Sequence, residues 1–222
     1  MSWFNIQARA GIGEISILDF IGTVTAGGLS AKVFSDELKK LGNVDQINVR
    51  INSPGGEVFA GMAIYNMLKR HKARKIVTID GIAASMASVI AMAGDTIIMP
   101  ENSMMMLHQA SSGFSGAATS EEMRTQADLI DRLNLSMIGI YAARSKQSHD
   151  KVAEMMKAET WLTAKEAVAM GFADEIEQPV KMAALFDIDK IYASTPQTLK
   201  DACLWDRVIA KHDAQFYGGA LR

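Results

Sequence analysis

Three short segments hold the residue types that can do chemistry. They are Asn52-Ser53-Pro54-Gly55-Gly56, Gly81-Ile82-Ala83-Ala84-Ser85-Met86-Ala87-Ser88 and Met104-Met105-Met106-Leu107-His108-Gln109. Each places small or glycine residues, or a histidine, where a strand ends, which is where parallel α/β sheets put their ligands. Paired glycines let the backbone take positive φ and expose its N–H groups. Such N–H groups can stabilise an oxyanion by about 2.7–4 kcal/mol per donor, although Pro-Gly and Gly-Gly are also common turn dipeptides. Ser85 sits at the first turn of a helix, among small neighbours that leave room for a substrate backbone. There it is a nucleophile if a base reaches it, and otherwise an N-cap. Ser88, one turn onward, is the local decoy. His108 follows four apolar residues and points into a crevice, either as a base or as a satisfied interior histidine.

A Ser–His pair wants a carboxylate to fix the imidazole tautomer and stabilise its charge. Residue order leaves Asp95, Asp128, Asp131, Glu154, Glu159 and Asp174 open, with Glu159, before Trp161, the least obviously solvated. His71, His149 and His212 lie in polar contexts and read as surface residues. No two histidines have helix ligand spacing and Cys203 stands alone, so no metal is expected. The chain has no G-x-x-x-x-G-K-[ST] phosphate cradle, and no cofactor is expected.

The elements that must position these residues alternate between strand and helix. Strands are expected over Glu14–Gly22, Gln46–Ile51, Lys75–Ile79, Thr96–Met99 and Met104–Leu107, and a last one over Phe172–Ile176. Helices are expected over Ser30–Leu41, Val58–Arg70 and Ala84–Ala93, the last reached from the third strand by a tight turn at Asp80-Gly81. This order implies βαβ units and a mostly parallel sheet. Gln109–Thr119 reads as a loop. Thr119 or Ser120 caps a helix to about Ser145, with Glu121 and Glu122 at its positive end. At about 37 Å it is longer than one small domain can cover, so it is expected to project toward another subunit. Lys151–Lys157 is helical, and Thr163–Met170 opens with a capping box. Gln178-Pro179 marks a boundary, and Thr198–Lys211 beyond it is an amphipathic helix.

Composition agrees with an ordinary globular protein. The 222 residues are 49% hydrophobic and 22% charged, which excludes wholesale disorder. Twenty-three basic and 25 acidic residues leave a net charge of −2, against a dedicated nucleic-acid binder. A single cysteine excludes a disulfide framework and fits a reducing compartment. The 15 methionines hint at packing plasticity more than chemistry. The start MSWFNIQARAG reads as no signal peptide. The apolar window Ile76–Ala93 is broken by Asp80 and Gly81, so a soluble, cytoplasmic protein without a membrane partner is expected.

Together, INSPGG at Ile51–Gly56, GIAASMAS at Gly81–Ser88 and MMLHQ at Met105–Gln109 resemble the proteolytic-subunit family of the Clp protease. The resemblance runs from about Glu14 to Ile176. It implies a serine endopeptidase with an α/β fold, a crotonase-type spiral of βαβ units carrying a projecting long helix, the handle. It places that protease domain over residues 1–178 and leaves 179–222 as a C-terminal extension. It implies Ser85 as nucleophile, His108 as base, and the Gly56 and Met86 N–H groups as the oxyanion hole. The family sets an acidic residue just before an aromatic and L-[ST]-A-x-E-A. Glu159-Thr160-Trp161-Leu162-Thr163-Ala164-Lys165-Glu166-Ala167 matches this pattern, and the resemblance implies Glu159 as the third triad member. Housekeeping members usually carry Asp there, and Glu reaches about 1.5 Å further.

Other departures are Ala110 where a proline follows H-Q, Asp80 where an apolar residue is usual, and Ile97 in place of an arginine. Ala158 stands where housekeeping enzymes often carry an arginine that links their rings. These features resemble the phage and prophage branch related to head-maturation proteases, which implies capsid or scaffold proteins as substrates. The resemblance further implies a homo-oligomer, a ring or two stacked heptamers built through the handle. Ala158 leaves one ring or a dimer open, and an ATP-dependent unfoldase is a further partner to consider. Rival readings are a serine–lysine peptidase like signal peptide peptidase A, an inactive scaffold protein of the same fold, and a crotonase-type acyl-CoA enzyme.

Overall fold

The computed structural model describes residues 4–9, 11–22, 31–113, 116–179, 191–197 and 199. The chain divides into two compact units, Met1–Val180 and Lys181–Arg222. In the second, Thr195 Oγ1 donates to the Tyr192 carbonyl at 2.8 Å. The helix expected over Thr198–Lys211 lies, Leu199 apart, outside the described residues, as do Cys203 and His212.

The first unit is a mixed α/β layer structure. Its elements run β1 (Phe4–Arg9), β2 (Ile12–Ile17), α1 (Ala31–Lys40), β3 (Gln46–Ser53), α2 (Val58–Arg70), β4 (Arg74–Ala84), α3 (Met86–Ala91), β5 (Thr96–Pro100), β6 (Met104–Leu107), α4 (Ser120–Ser145), α5 (His149–Lys157), β7 (Thr160–Thr163), α6 (Ala164–Ala169) and β8 (Glu175–Glu177). Eight strands form one sheet with the path β1-β2-β3-β4-β5-β8, while β6 branches from β4 and carries β7. Among the described residues, only the β1–β2 and β6–β7 pairs are antiparallel. The expected mixed α/β fold with a mostly parallel sheet is therefore what the chain adopts.

Alternation explains why these segments are strands. Ile15 and Ile17, Ile47, Val49 and Ile51, and Val77 and Ile79 point to one face and are buried, with half-exposed residues between them. Phe34, Ile64 and Leu68 close over that face from α1 and α2. Full burial of each such side chain contributes about 1.5–3 kcal/mol. All six residues of α3 are buried, as expected of a helix apolar on every side.

Two strands differ from expectation in a way that bears on the site. β4 does not turn at Asp80-Gly81 but runs on to Ala84. Asp80 stays in the sheet because its carboxylate receives the Arg50 guanidinium from β3, Nε to Oδ2 being 2.8 Å. The extension lets β6 pair with Ile82, Ala83 and Ala84. β7, absent from the expected elements, pairs antiparallel with β6. β1 is likewise new, and β8 is shorter than Phe172–Ile176.

The long helix begins where expected. Thr119 Oγ1 accepts from the Glu122 N–H and the Glu122 carboxylate accepts from the Thr119 N–H, a full capping box. Its N-terminal half is exposed, and its buried residues are Asn134, Met137, Tyr141, Ala142 and Ser145. No helix of the described residues is long and apolar enough to cross a membrane.

Candidate active site

Ser85 occupies the sharp corner between β4 and α3. Its backbone is at φ 54° and ψ −126°, outside the regions that L-residues favour. Such a conformation costs about 1–3 kcal/mol and persists only where its surroundings impose it. Here both sides of the residue are held. The Ser85 N–H donates to the Met106 carbonyl of β6 at 3.0 Å, and the Ser85 carbonyl accepts from the N–H groups of Ser88 (3.0 Å) and Val89 (3.3 Å). Although Ser85 stands at the N-cap position, its side chain caps nothing. Its Oγ lies instead 2.7 Å from His108 Nε2, within the reach a nucleophile–base pair needs.

His108 follows the last residue of β6, so the β4–β6 pairing that fixes Ala84 against Met106 also brings these two side chains together. The chain beyond it is held by α4: the Ala110 N–H donates to the buried Asn134 Oδ1 at 2.8 Å. Burial holds the imidazole below its ordinary pKa, and the nearby Glu159 charge opposes that shift. The net downward shift favours the neutral ring, the form that accepts a proton.

Glu159 is brought to His108 by β7. In the antiparallel register Leu107 faces Thr160, so one step further sets Glu159 opposite His108. The chain enters β7 from α5 through a left-handed turn at Glu159, φ 50°. The other acids fall elsewhere. Asp95 pairs with Lys75 Nζ at 3.1 Å. Asp174 pairs with Arg144 and accepts from the Ile97 N–H. Asp128, Asp131 and Glu154 are exposed on helix faces.

The glycine pair lies against the same corner. Gly55 has φ +96°, and a Cβ there would sit 2.7 Å from the Ala84 carbonyl oxygen and 2.7 Å from Ser85 Cβ. Gly56 bridges Ile21, and a Cβ would fall 2.0 Å from the Ile21 carbonyl oxygen. Ile21 donates to the Gly55 carbonyl and accepts from the Glu57 N–H, both at 2.8 Å. In a parallel bridge of this kind the Gly56 N–H turns away from Ile21. Met86 opens α3, so its N–H is one that an α-helix leaves without an internal acceptor.

The remaining candidates take structural places. Ser88 is wholly buried. His71 Nδ1 accepts from the Ala73 N–H at 3.2 Å, and His149 is exposed at the start of α5. Among the described residues, no group of three or more His, Cys, Asp or Glu is arranged to hold a metal ion. Tyr141 was not singled out by sequence, yet its hydroxyl lies 2.7 Å from Ser88 Oγ beneath the corner. Nothing in the spacing along α4 marks it.

A serine on a strained strand-to-helix corner, within reach of a histidine just past the end of the neighbouring strand β6, is an arrangement suited to nucleophilic acyl chemistry. The Clp protease family model matches residues 16–180. The chain belongs to the Clp protease family, whose members are serine peptidases. Among relatives, it is 34% identical over 134 residues to the ATP-dependent Clp protease proteolytic subunit of Deinococcus radiodurans, covering 59% of this chain and 64% of that protein. It is 38% identical over 136 residues to proteolytic subunit 2 of Tropheryma whipplei, covering 60% and 73%. It is 34% identical over 163 residues to the subunit of Bacteroides fragilis, covering 71% and 77%. The match thus spans just under two thirds of the Deinococcus protein's length.

Proposed function

We propose that the chain is a serine endopeptidase in which Ser85, His108 and Glu159 act as the triad and the Gly56 and Met86 N–H groups as the oxyanion hole. The observation that carries this reading is the 2.7 Å approach of Ser85 Oγ to His108 Nε2 across the β4–β6 junction. His108 Nε2 takes the Ser85 proton as Oγ attacks the scissile carbonyl. The tetrahedral oxyanion is held by the two backbone donors. Glu159 stabilises the imidazolium that forms and keeps its far nitrogen protonated. His108 then gives its proton to the leaving amine, and water, activated by the same base, hydrolyses the acyl-enzyme.

We further propose that the chain works as a homo-oligomeric ring assembled through α4, whose exposed Met123, Leu129 and Leu135 favour a partner over solvent. Two stacked heptamers are the larger form of that assembly, and a single ring the smaller. The departures at Asp80, Ile97, Ala110 and Ala158 favour a phage-type substrate, a capsid or scaffold protein, over an unfolded chain fed by an ATP-dependent unfoldase.

The test is peptide hydrolysis by purified wild-type and Ser85→Ala chains. Loss of the nucleophile is expected to lower turnover by about 10⁶ with the fold and the elution volume unchanged. Equal hydrolysis by the two proteins overturns the proposal. Cleavage of a capsid or scaffold precursor without ATP supports the phage-type substrate, and a strict need for an unfoldase and ATP contradicts it.

A further inference from the structure

Beneath Ser85 lie two buried hydroxyl groups to which the proposed reaction gives no part. Ser88 is wholly buried, and Tyr141 on α4 is 1% exposed. Ser88 Oγ stands 2.7 Å from the Ser85 carbonyl oxygen, 2.8 Å from the Met106 carbonyl oxygen and 2.7 Å from Tyr141 Oη. A serine hydroxyl has one proton to give. Both carbonyls can only accept; with the Ser88 proton shared between them, Ser88 Oγ accepts from Tyr141 Oη, although the 2.7 Å contact by itself allows either hydroxyl to donate. Tyr141 Oη also lies 3.4 Å from the Ser85 carbonyl oxygen.

Satisfying the carbonyls does not require this pair. The Ser85 carbonyl already receives two N–H groups, and the Met106 carbonyl already receives the Ser85 N–H. What the pair adds is direction. The Ser85 carbonyl and the Met86 N–H belong to one planar peptide unit and point opposite ways. Pulling the carbonyl inward turns the Met86 N–H outward, to the side of the Ser85 hydroxyl. Met106 lies two residues before His108, so the second carbonyl ties the strand that carries the base to the same hydroxyl. Chained hydrogen bonds also polarise one another in a dry interior.

From this geometry we infer that Ser88 and Tyr141 are positioning residues for acylation. Together they orient the Ser85–Met86 peptide and hold β6 against the corner. The inference rests on the triad reading above. It differs from a merely structural role, which would move stability and leave the chemistry of the folded chain alone.

The test is a double-mutant cycle on the full chain with Ser88→Ala and Tyr141→Phe. The phenylalanine keeps the edge-on ring contact with Phe172, whose centroid is 6.1 Å away, and removes only the hydroxyl. Three quantities are read below the unfolding transition: kcat and KM on a peptide, and the rate at which a fluorophosphonate labels Ser85. A displaced oxyanion donor should cost less than a deleted one, so Ser88→Ala is expected to lower kcat and labelling about tenfold, with KM within twofold. Tyr141→Phe should lose less, and the double variant should lose no more than Ser88→Ala, because the tyrosine acts through the serine. Unchanged kcat and labelling in both variants, or losses that simply multiply, overturn the inference. If Ser88→Ala does not fold, the Tyr141→Phe rates alone decide. Wild-type chain that neither labels nor cleaves overturns the triad reading and this inference with it. Wild-type labelling matched by both variants overturns the inference alone.

Discussion

Glu159 and His108 stand one residue beyond the Leu107–Thr160 pair that ends the β6–β7 ladder, and, against the larger lowering by burial, the Glu159 charge acts to raise the His108 pKa. The antiparallel ladder thus brings the two residues to the same end of β6 and β7. Glu159 itself sits in a left-handed turn, φ 50°. This relationship makes the electrostatics of the site testable.

Burial depresses the His108 pKa below its ordinary 6.5, against the opposing charge of Glu159. A neutral imidazole is the working form, so kcat/KM should fall as pH drops, through a midpoint below 6.5. Glu159→Gln removes the opposing charge, and the midpoint should move lower still. The same change strips the imidazolium of its counter-charge, so kcat should fall by up to about 10⁴. pH–rate profiles of the two proteins check both signs. A midpoint that rises in Glu159→Gln contradicts the assignment.

Gly55→Ala places a methyl group 2.7 Å from Ser85 Cβ and from the Ala84 carbonyl oxygen, at φ +96°. The backbone strain alone should cost about 1–3 kcal/mol, and relief of the clash must push on the corner. Thermal unfolding should show the loss of stability. Peptidase activity should fall further than the folded fraction does. A variant as stable and active as wild type would mean that the glycine pair is an ordinary turn.

Leu135 is 68% exposed on α4, an unusual setting for a large apolar side chain. Leu135→Glu should shift the chain to a smaller species in light scattering while leaving the helix content unchanged. An oligomer of unaltered mass would place the subunit contact elsewhere.

Much of this architecture was legible beforehand, and the reasons differ by element. The helix Val58–Arg70 and the strand Met104–Leu107 match expectation residue for residue because apolar periodicity is undisturbed and turn residues flank them. The capping box at Thr163 is local chemistry and is read directly, whereas at the long helix the sequence leaves Thr119 or Ser120 open as the cap and the structure selects Thr119. The misses are non-local. Asp80-Gly81 has the composition of a turn, and the partners that hold it in a strand, β3 with Arg50 and β6, are distant in sequence. β7 has four residues, of which Thr163 doubles as a helix cap. Without β7 no rule of spacing sets Glu159 opposite His108, and residue order left six acids open. Tyr141 is invisible for the same reason: its partner Ser88 lies 53 residues away in sequence.

The most direct test of the central claim is fluorophosphonate labelling followed by mapping of the modified peptide, in wild-type and His108→Ala chains. Wild type should be modified at Ser85 and not at Ser88, and His108→Ala should react far more slowly because its Oγ has lost the acceptor 2.7 Å away. Absence of modification at Ser85, or equal rates in the two proteins, would contradict a histidine-activated nucleophile at this corner.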